Sequence, residues 1–253
     1  MSELSPWLIF DRLPEPDDLI LFCLHFAGGQ AAVFRQWQEN APQGTAICRV
    51  QLPGHGTRMN EPLLSDMESV LDGLLHASSP WLGQRFAFFG HSMGGTIAAE
   101  WAIRLQEENM PLPQCLFISA SEPAHKHWWP PCSDLPTDAF RSFIFSNGGI
   151  PREVMEHEEL MEIFEPILRA DYALLESWAP KPVRSIHVPI VAFAGMDDTV
   201  VPQPVVREWK RFAASAWELR HIPGGHFFIQ THAELVMSST FDCLTKLNEG
   251  ALE

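Results

Sequence analysis

Gly90-His91-Ser92-Met93-Gly94 has the residue types and spacing of an activated serine nucleophile. A serine hydroxyl attacks carbonyl carbon poorly on its own. It needs a base to take its proton and donors to hold the negative charge that builds on the attacked oxygen. The G-x-S-x-G pattern supplies that geometry when a strand runs into it and a helix leaves it. Both are legible here. Phe86-Ala87-Phe88-Phe89 is a short apolar run, and Ile97, Ala98, Trp101, Ala102 and Leu105 follow at near-helical spacing. Gly90 and Gly94 let chain pass close to chain, and Gly95 lets the helix pack tightly. The N–H of Met93, at the helix N-terminus, is then aimed where an oxyanion would form.

The base and its orienter should follow in the order Ser, acid, His. Val188-Pro189-Ile190-Val191-Ala192-Phe193-Ala194 reads as a short buried strand, and Gly195-Met196-Asp197-Asp198-Thr199-Val200-Val201-Pro202 is the turn behind it. Asp197 and Asp198 compete for the acid. The Gly-x-x-Asp-x-x-Val-Pro register selects Asp198 and leaves Asp197 as a turn carboxylate or cap. His226 lies in Pro223-Gly224-Gly225-His226-Phe227-Phe228, a glycine-rich loop between the strand around Trp217, Leu219 and His221 and the last helix. The second oxyanion donor is expected in the loop after Leu19–Leu24, where His25-Phe26-Ala27-Gly28-Gly29 turns sharply; the N–H of Ala27 is the choice. His91 is expected to pack beneath the turn and His221 to face away from the site. His25 and His55 sit in loops near the site without a motif that calls for chemistry. His125 and His127 resemble a metal pair but lack a carboxylate or cysteine at ligand spacing, so no metal is expected.

Positioning these residues requires strands and helices in alternation, and the chain supplies them. Strands are expected over 19–24, 46–51, 86–90, 115–119, 188–194 and 216–221, with helices over 31–39, 65–78, 93–108, 203–213 and 230–247. That order implies an α/β fold with a mostly parallel sheet covered on both faces. The stretch from about 121 to 185 breaks the alternation. It carries Trp128, Trp129, Pro130 and Pro131, then helical segments rich in Phe, Met and Leu, including Phe140, Phe143, Met155, Leu168 and Trp178. It is expected to be a helical insertion whose apolar face looks onto Ser92, with Pro130-Pro131 and Gly148-Gly149 inside it as boundaries between a moving part and a fixed one.

Composition sets the remaining limits. With 253 residues and 46% apolar content, one domain over 1–253 can bury a single large core. A net charge of −15 argues against nucleic acid and anionic membranes as partners. No apolar run reaches membrane-spanning length, and Met1–Pro6 lacks the basic and apolar regions of a secretory signal. Five scattered cysteines, Cys23, Cys48, Cys115, Cys132 and Cys243, read as free thiols in a reducing cytoplasm.

Nearly end to end, the chain resembles the type II thioesterases, the free-standing editing hydrolases of nonribosomal peptide and polyketide synthesis. The resemblance rests on Phe26-Ala27-Gly28-Gly29 with Phe34-Arg35-Gln36-Trp37, on Leu52-Pro53-Gly54-His55-Gly56-Thr57-Arg58, and on Phe89 to Gly95 with Glu100. It extends to Gly148-Gly149-Ile150-Pro151, Glu159-Leu160-Met161, Leu168-Arg169-Ala170-Asp171-Tyr172 and the His226 loop. His25-Phe26 stands where the family usually has Pro-His, and His55 stands where it has Arg. The resemblance implies an α/β-hydrolase fold with a helical lid, and a Ser92 acyl-enzyme formed without metal or organic cofactor. It also implies a partner carrier protein that presents the acyl group on its phosphopantetheine arm. Such carriers are acidic, so docking on this acidic chain calls for a local apolar or basic patch. A cytoplasmic monomer is expected. A small-molecule carboxylesterase would share the same three residues, whereas a non-catalytic binding protein of this fold would have no need to keep them.

Overall fold

Residues 19–24 and 85–91 show why a sheet forms. Along Leu19–Leu24, Ile20, Phe22 and Leu24 pack on one side while Leu19, Leu21 and Cys23 pack on the other; along Arg85–His91, Phe86 and Phe88 oppose Ala87 and Phe89. Period-two alternation with both sets apolar belongs to a strand buried on both faces, which requires helices above and below it. The computed structural model, which describes residues 5–126, 128–146 and 157–248, has this arrangement.

Seven strands form one sheet: β1 (Leu8–Phe10), β2 (Leu19–Leu24), β3 (Thr45–Val50), β4 (Arg85–His91), β5 (Leu116–Ser119), β6 (Ile190–Gly195) and β7 (Trp217–Ile222). Their order is β1-β3-β2-β4-β5-β6-β7. Every pairing is parallel except that of β1, which runs antiparallel to β3 with Ile9 opposite Arg49. The six expected strands are present. The added edge strand, three residues long, is too short for alternation to betray it.

One face of the sheet is covered by α2 (Met67–Ser78) and α3 (Met93–Glu107), through Val70, Leu71, Leu74, Ile97 and Trp101. Trp101 stacks on Phe88 at 4.1 Å between ring centroids. Asp66 caps α2 by accepting the Ser69 N–H at 2.8 Å. The other face is covered by Phe34, by Trp37 at the start of α1 (Trp37–Asn40), and by Val236, Phe241 and Leu244 near the C-terminus. The expected helix over 31–39 is split. A 3₁₀ turn over Ala31–Phe34 precedes α1, and its buried residues Ala31 and Phe34 are three apart, the period of a 3₁₀ turn.

Between β5 and β6 the alternation stops, as expected, and the described part of the insertion is helical. It contains α4 (Thr137–Ser146) and the long α5 (Glu158–Trp178). Cys132, Phe140, Ile144, Met161 and Leu168 form a small apolar cluster of their own. The two ends of the insertion are joined where the Lys181 N–H donates to the Ala124 carbonyl at 2.7 Å. Arg184 closes the base by pairing with Glu100, which is buried on α3. Gly148-Gly149, Pro151 and Met155 lie outside the described residues. After β6 come α6 (Gln203–Arg207), continued by a 3₁₀ turn, then α7 (Phe228–Thr231) and α8 (Ala233–Asn248), the last two separated at His232. Among the described residues no helix is long and apolar enough to cross a membrane.

Candidate active site

Ser92 sits between β4 and α3 with φ 54° and ψ −120°, a backbone conformation that non-glycine residues avoid. Such strain costs on the order of 1–3 kcal/mol and persists only where the surroundings enforce it. Here the enforcement is close packing of backbone. A methyl group at Gly90 would stand 2.0 Å from the Gly94 carbonyl oxygen, and one at Gly94 would stand 2.3 Å from that of Leu24. The Ser92 N–H is fixed by the Ser119 carbonyl at 2.8 Å. The turn is thus held from both sides, and the Ser92 hydroxyl is left at the C-terminal end of the sheet.

Asp198 and His226 arrive on the turns after β6 and β7. The Asp197 N–H donates to the Gly224 carbonyl at 3.0 Å, and the Met196 N–H to that of Ile222 at 2.8 Å, so the two turns are bound to each other. The Asp198 Oδ1 accepts the N–H groups of Val200 and Val201 at 2.8 and 2.9 Å, and its Oδ2 lies 2.9 Å from His226 Nδ1. His226 Nε2 lies 3.0 Å from Ser92 Oγ. The chain of contacts runs from carboxylate to imidazole to hydroxyl. With Asp198 ionised, Nδ1 carries the proton and Nε2 is free to accept one from the serine. Asp197 is exposed and contributes only its backbone.

His91 holds this assembly from beneath. It is fully buried, and its Nε2–H donates to the His226 carbonyl at 2.9 Å, which leaves Nδ1 to accept from the Ser119 hydroxyl at 2.8 Å. Burial drives the His91 imidazole well below its ordinary pKa, with the His226 charge adding to the effect. Neutral His91 therefore braces the histidine loop. The sequence expectation of packing underneath was right in place, but periodicity cannot show a hydrogen bond to a residue so far along the chain. His221 is exposed on β7, away from this assembly. His125 stands beside Glu208 and Arg211, and His127 lies outside the described residues.

The amides of Ala27 and Met93 both reach this end of the sheet. Ala27 lines the cavity over Ser92, and Met93 is the first residue of α3. Neither N–H has a protein acceptor among the described residues. The cavity measures about 390 Å³. The insertion supplies much of its wall: Trp128, Trp129 and Phe143, with Leu168, Tyr172 and Leu175 spaced along one face of α5. Tyr172, Leu175 and Glu122 were not anticipated as lining residues. Positions 168, 172 and 175 follow helical spacing, a signal that was present in the sequence. Glu122 is an acid in this largely apolar wall. Burial, helped by the charge of Asp198, pushes its carboxyl up to about 8.

A mostly parallel sheet carrying a strained serine, a carboxylate and a histidine on the turns after β4, β6 and β7 defines a serine hydrolase of the α/β-hydrolase fold. The thioesterase-domain family model matches residues 19–243, and the chain belongs to this family of thioester hydrolases. Thioesterase PikA5 of Streptomyces venezuelae is 31% identical over 85% of this chain and 78% of its own length. The structure of ClbQ from the colibactin NRPS/PKS pathway superposes with a TM-score of 0.84 at 30% identity, covering 91% of this chain and 98% of ClbQ. That of BorB, a type II thioesterase from the borrelidin biosynthetic cluster, gives 0.82 at 26% identity, covering 96% and 99%.

Proposed function

We propose that the protein releases acyl groups from the phosphopantetheine arm of a carrier protein in nonribosomal peptide or polyketide biosynthesis, through an acyl-enzyme on Ser92. The observation that carries this reading is the hydrogen-bond chain Asp198–His226–Ser92 at the floor of a cavity walled largely by apolar side chains. His226 takes the Ser92 proton as Oγ adds to the thioester carbonyl. Asp198 holds the imidazole in the right tautomer and stabilises the imidazolium. The N–H groups of Ala27 and Met93 hold the oxyanion, each contributing about 3–4 kcal/mol. The C–S bond then breaks, and the thiol leaves with the proton from His226. Water, deprotonated by His226, repeats the addition and frees Ser92. No metal or organic cofactor takes part, because the arm enters as part of the substrate.

The insertion over about 121–185 acts as a lid within a single domain. It walls the acyl pocket, and its movement admits the narrow arm while bulky esters are excluded. A cytoplasmic site of action suits the five buried, unpaired cysteines. The chain works as a monomer that meets the carrier through a local patch, since its bulk charge of −15 would repel an acidic partner.

Matched acetyl substrates test this reading. A higher kcat/KM is expected for the acetylated carrier protein than for acetyl-coenzyme A, because the carrier adds binding energy beyond the acyl group. The reverse order would remove the carrier from the account. A still higher value for simple acetyl esters would favour a carboxylesterase.

A further inference from the structure

The insertion meets the Ala27 loop at one buried polar point. Asp171, on α5, is 1% exposed, and its Oδ2 accepts the Gly28 N–H at 2.7 Å. The same oxygen lies 3.0 Å from His55 Nε2, and His55, 2% exposed, lies with Nδ1 2.9 Å from the Pro53 carbonyl oxygen. A carbonyl oxygen cannot donate a hydrogen bond, and neither can an ionised carboxylate. Both ring nitrogens therefore carry protons, and the contact is a buried imidazolium–carboxylate pair.

The pair bears on the direction of one peptide plane. In a trans peptide the Ala27 N–H points opposite to the Phe26 carbonyl. That carbonyl is held by the Gly29 N–H at 2.9 Å and faces His25 Nδ1 at 2.9 Å, while Asp171 holds the next N–H, that of Gly28. Gly28 has φ +72°, and a methyl group there would stand 2.7 Å from Leu168 Cδ2, one turn before Asp171 on α5. The loop thus takes its shape against the face of α5.

We propose that Asp171 is the positioning residue of the oxyanion loop: with His55 as its counter-charge it clamps Gly28, sets the direction of the Ala27 N–H, and makes that direction depend on the seating of α5. This rests on the reading of Ala27 as an oxyanion donor.

The clamp is titratable because its cation is a histidine. Three groups face His55: Asp171 from α5, Arg58 from its own loop, and His25, whose ring centroid is 5.0 Å away. Burial works against the imidazolium. The charge and hydrogen bond of Asp171, with the Pro53 carbonyl, outweigh both burial and Arg58 and raise the His55 pKa above its ordinary value. His25 is driven down to about 4, first by burial and then by His55, and stays neutral throughout. With the folded pKa raised, the clamp is fully formed below the ordinary histidine value and is lost as pH rises through the raised one. Deprotonation would turn the Nε2 lone pair toward the Asp171 carboxylate.

The test is the rate of Ser92 acylation by p-nitrophenyl acetate across pH 5.5–9.5, for the wild type, Asp171→Asn and His55→Arg. Ser92→Ala serves as the blank, and thermal unfolding is followed in parallel. Asp171→Asn should lower the saturating acylation rate about 10- to 100-fold, the scale of a misplaced catalytic group, with the half-saturating concentration changed less than about threefold. The wild-type rate should fall on the alkaline side, and the ratio of rates at pH 9 and pH 7 should rise in His55→Arg, whose cation does not titrate. A folded Asp171→Asn that acylates within about twofold of wild type would overturn the proposal, as would an unchanged alkaline fall in His55→Arg. If His55→Arg does not fold, the alkaline limb of Asp171→Asn decides: it should vanish, and its persistence would overturn the clamp. A wild type with no Ser92-dependent acylation would instead contradict the proposed function itself.

Discussion

The C-terminal end of the sheet and the helical insertion are built on opposite terms. At the sheet, backbone touches backbone: Gly90 against Gly94, Gly94 against Leu24, Asp197 bonded to Gly224, and His91 bonded to the His226 carbonyl. Almost nothing there can change without moving Ser92, Asp198 or His226. The insertion has a small cluster of buried side chains of its own, packs on the main core through Leu174 and Trp178, and is bonded to the body at polar points that include Asp171 with Gly28 and His55, Glu122 with Thr96, and Arg184 with Glu100. Reactive geometry is thus fixed by main chain, while the pocket wall is made of replaceable side chains. Changes at the first region should therefore act on chemistry and changes at the second on substrate choice.

That contrast can be broken by experiment. The largest effect is expected at the sheet: Asp198→Asn should lower kcat about 10⁴-fold if its orienting role matches that in serine proteases, while Asp197→Asn changes it little. Equal losses measured on any acyl thioester would mean that the acid is wrongly assigned. A smaller effect is expected on α5. Leu175→Ala opens the pocket wall, and kcat/KM for octanoyl over acetyl substrates should rise about tenfold, within the range that a few methylene contacts supply. A uniform loss on both chains would make Leu175 part of the chemistry and blur the contrast.

The smallest effect concerns Glu122. Its folded carboxyl, at about 8 against an ordinary 4.5, keeps a proton that the unfolded chain releases, so its contribution to stability falls as pH climbs between those values. Glu122→Gln lacks that dependence. Relative to wild type, its Tm should gain at pH 9 over pH 5 by several degrees, read by thermal unfolding. No difference between the two pH values would remove Glu122 as a proton-holding group in the pocket.

The main-chain region was the more legible of the two in the sequence, for the same physical reason. Glycines at 90, 94 and 95, the Asp198 register and the Gly224-Gly225-His226 loop record constraints that one residue type satisfies, so single positions carry the message. Buried strands announce themselves by apolar runs, and the half-exposed β7 shows itself by alternation through Trp217 and Leu219; β1 escaped because Leu8–Phe10 spans too few residues to show a period. The insertion was legible only as a break in alternation. Its cavity-lining face depends on how α5 is rotated against the sheet, and the Asp171–His55 pair joins residues 116 positions apart, which no local pattern encodes. The broken helices after Gln30 and around His232 were missed because near-helical spacing of apolar residues persists across an interruption of one or two residues.

A thioesterase working through Ser92 must pass through a covalent intermediate on that residue, and trapping it is the direct measurement. The protein is mixed with acetylated carrier protein, quenched in acid during the first turnover, digested, and mapped by mass spectrometry. One acetyl group is predicted on the peptide holding Gly90–Gly94, at Ser92, and none in Ser92→Ala, whose turnover should fall by several orders of magnitude. Deacylation of the carrier by Ser92→Ala at more than a few per cent of the wild-type rate, or an acetyl group trapped on another residue, would contradict it.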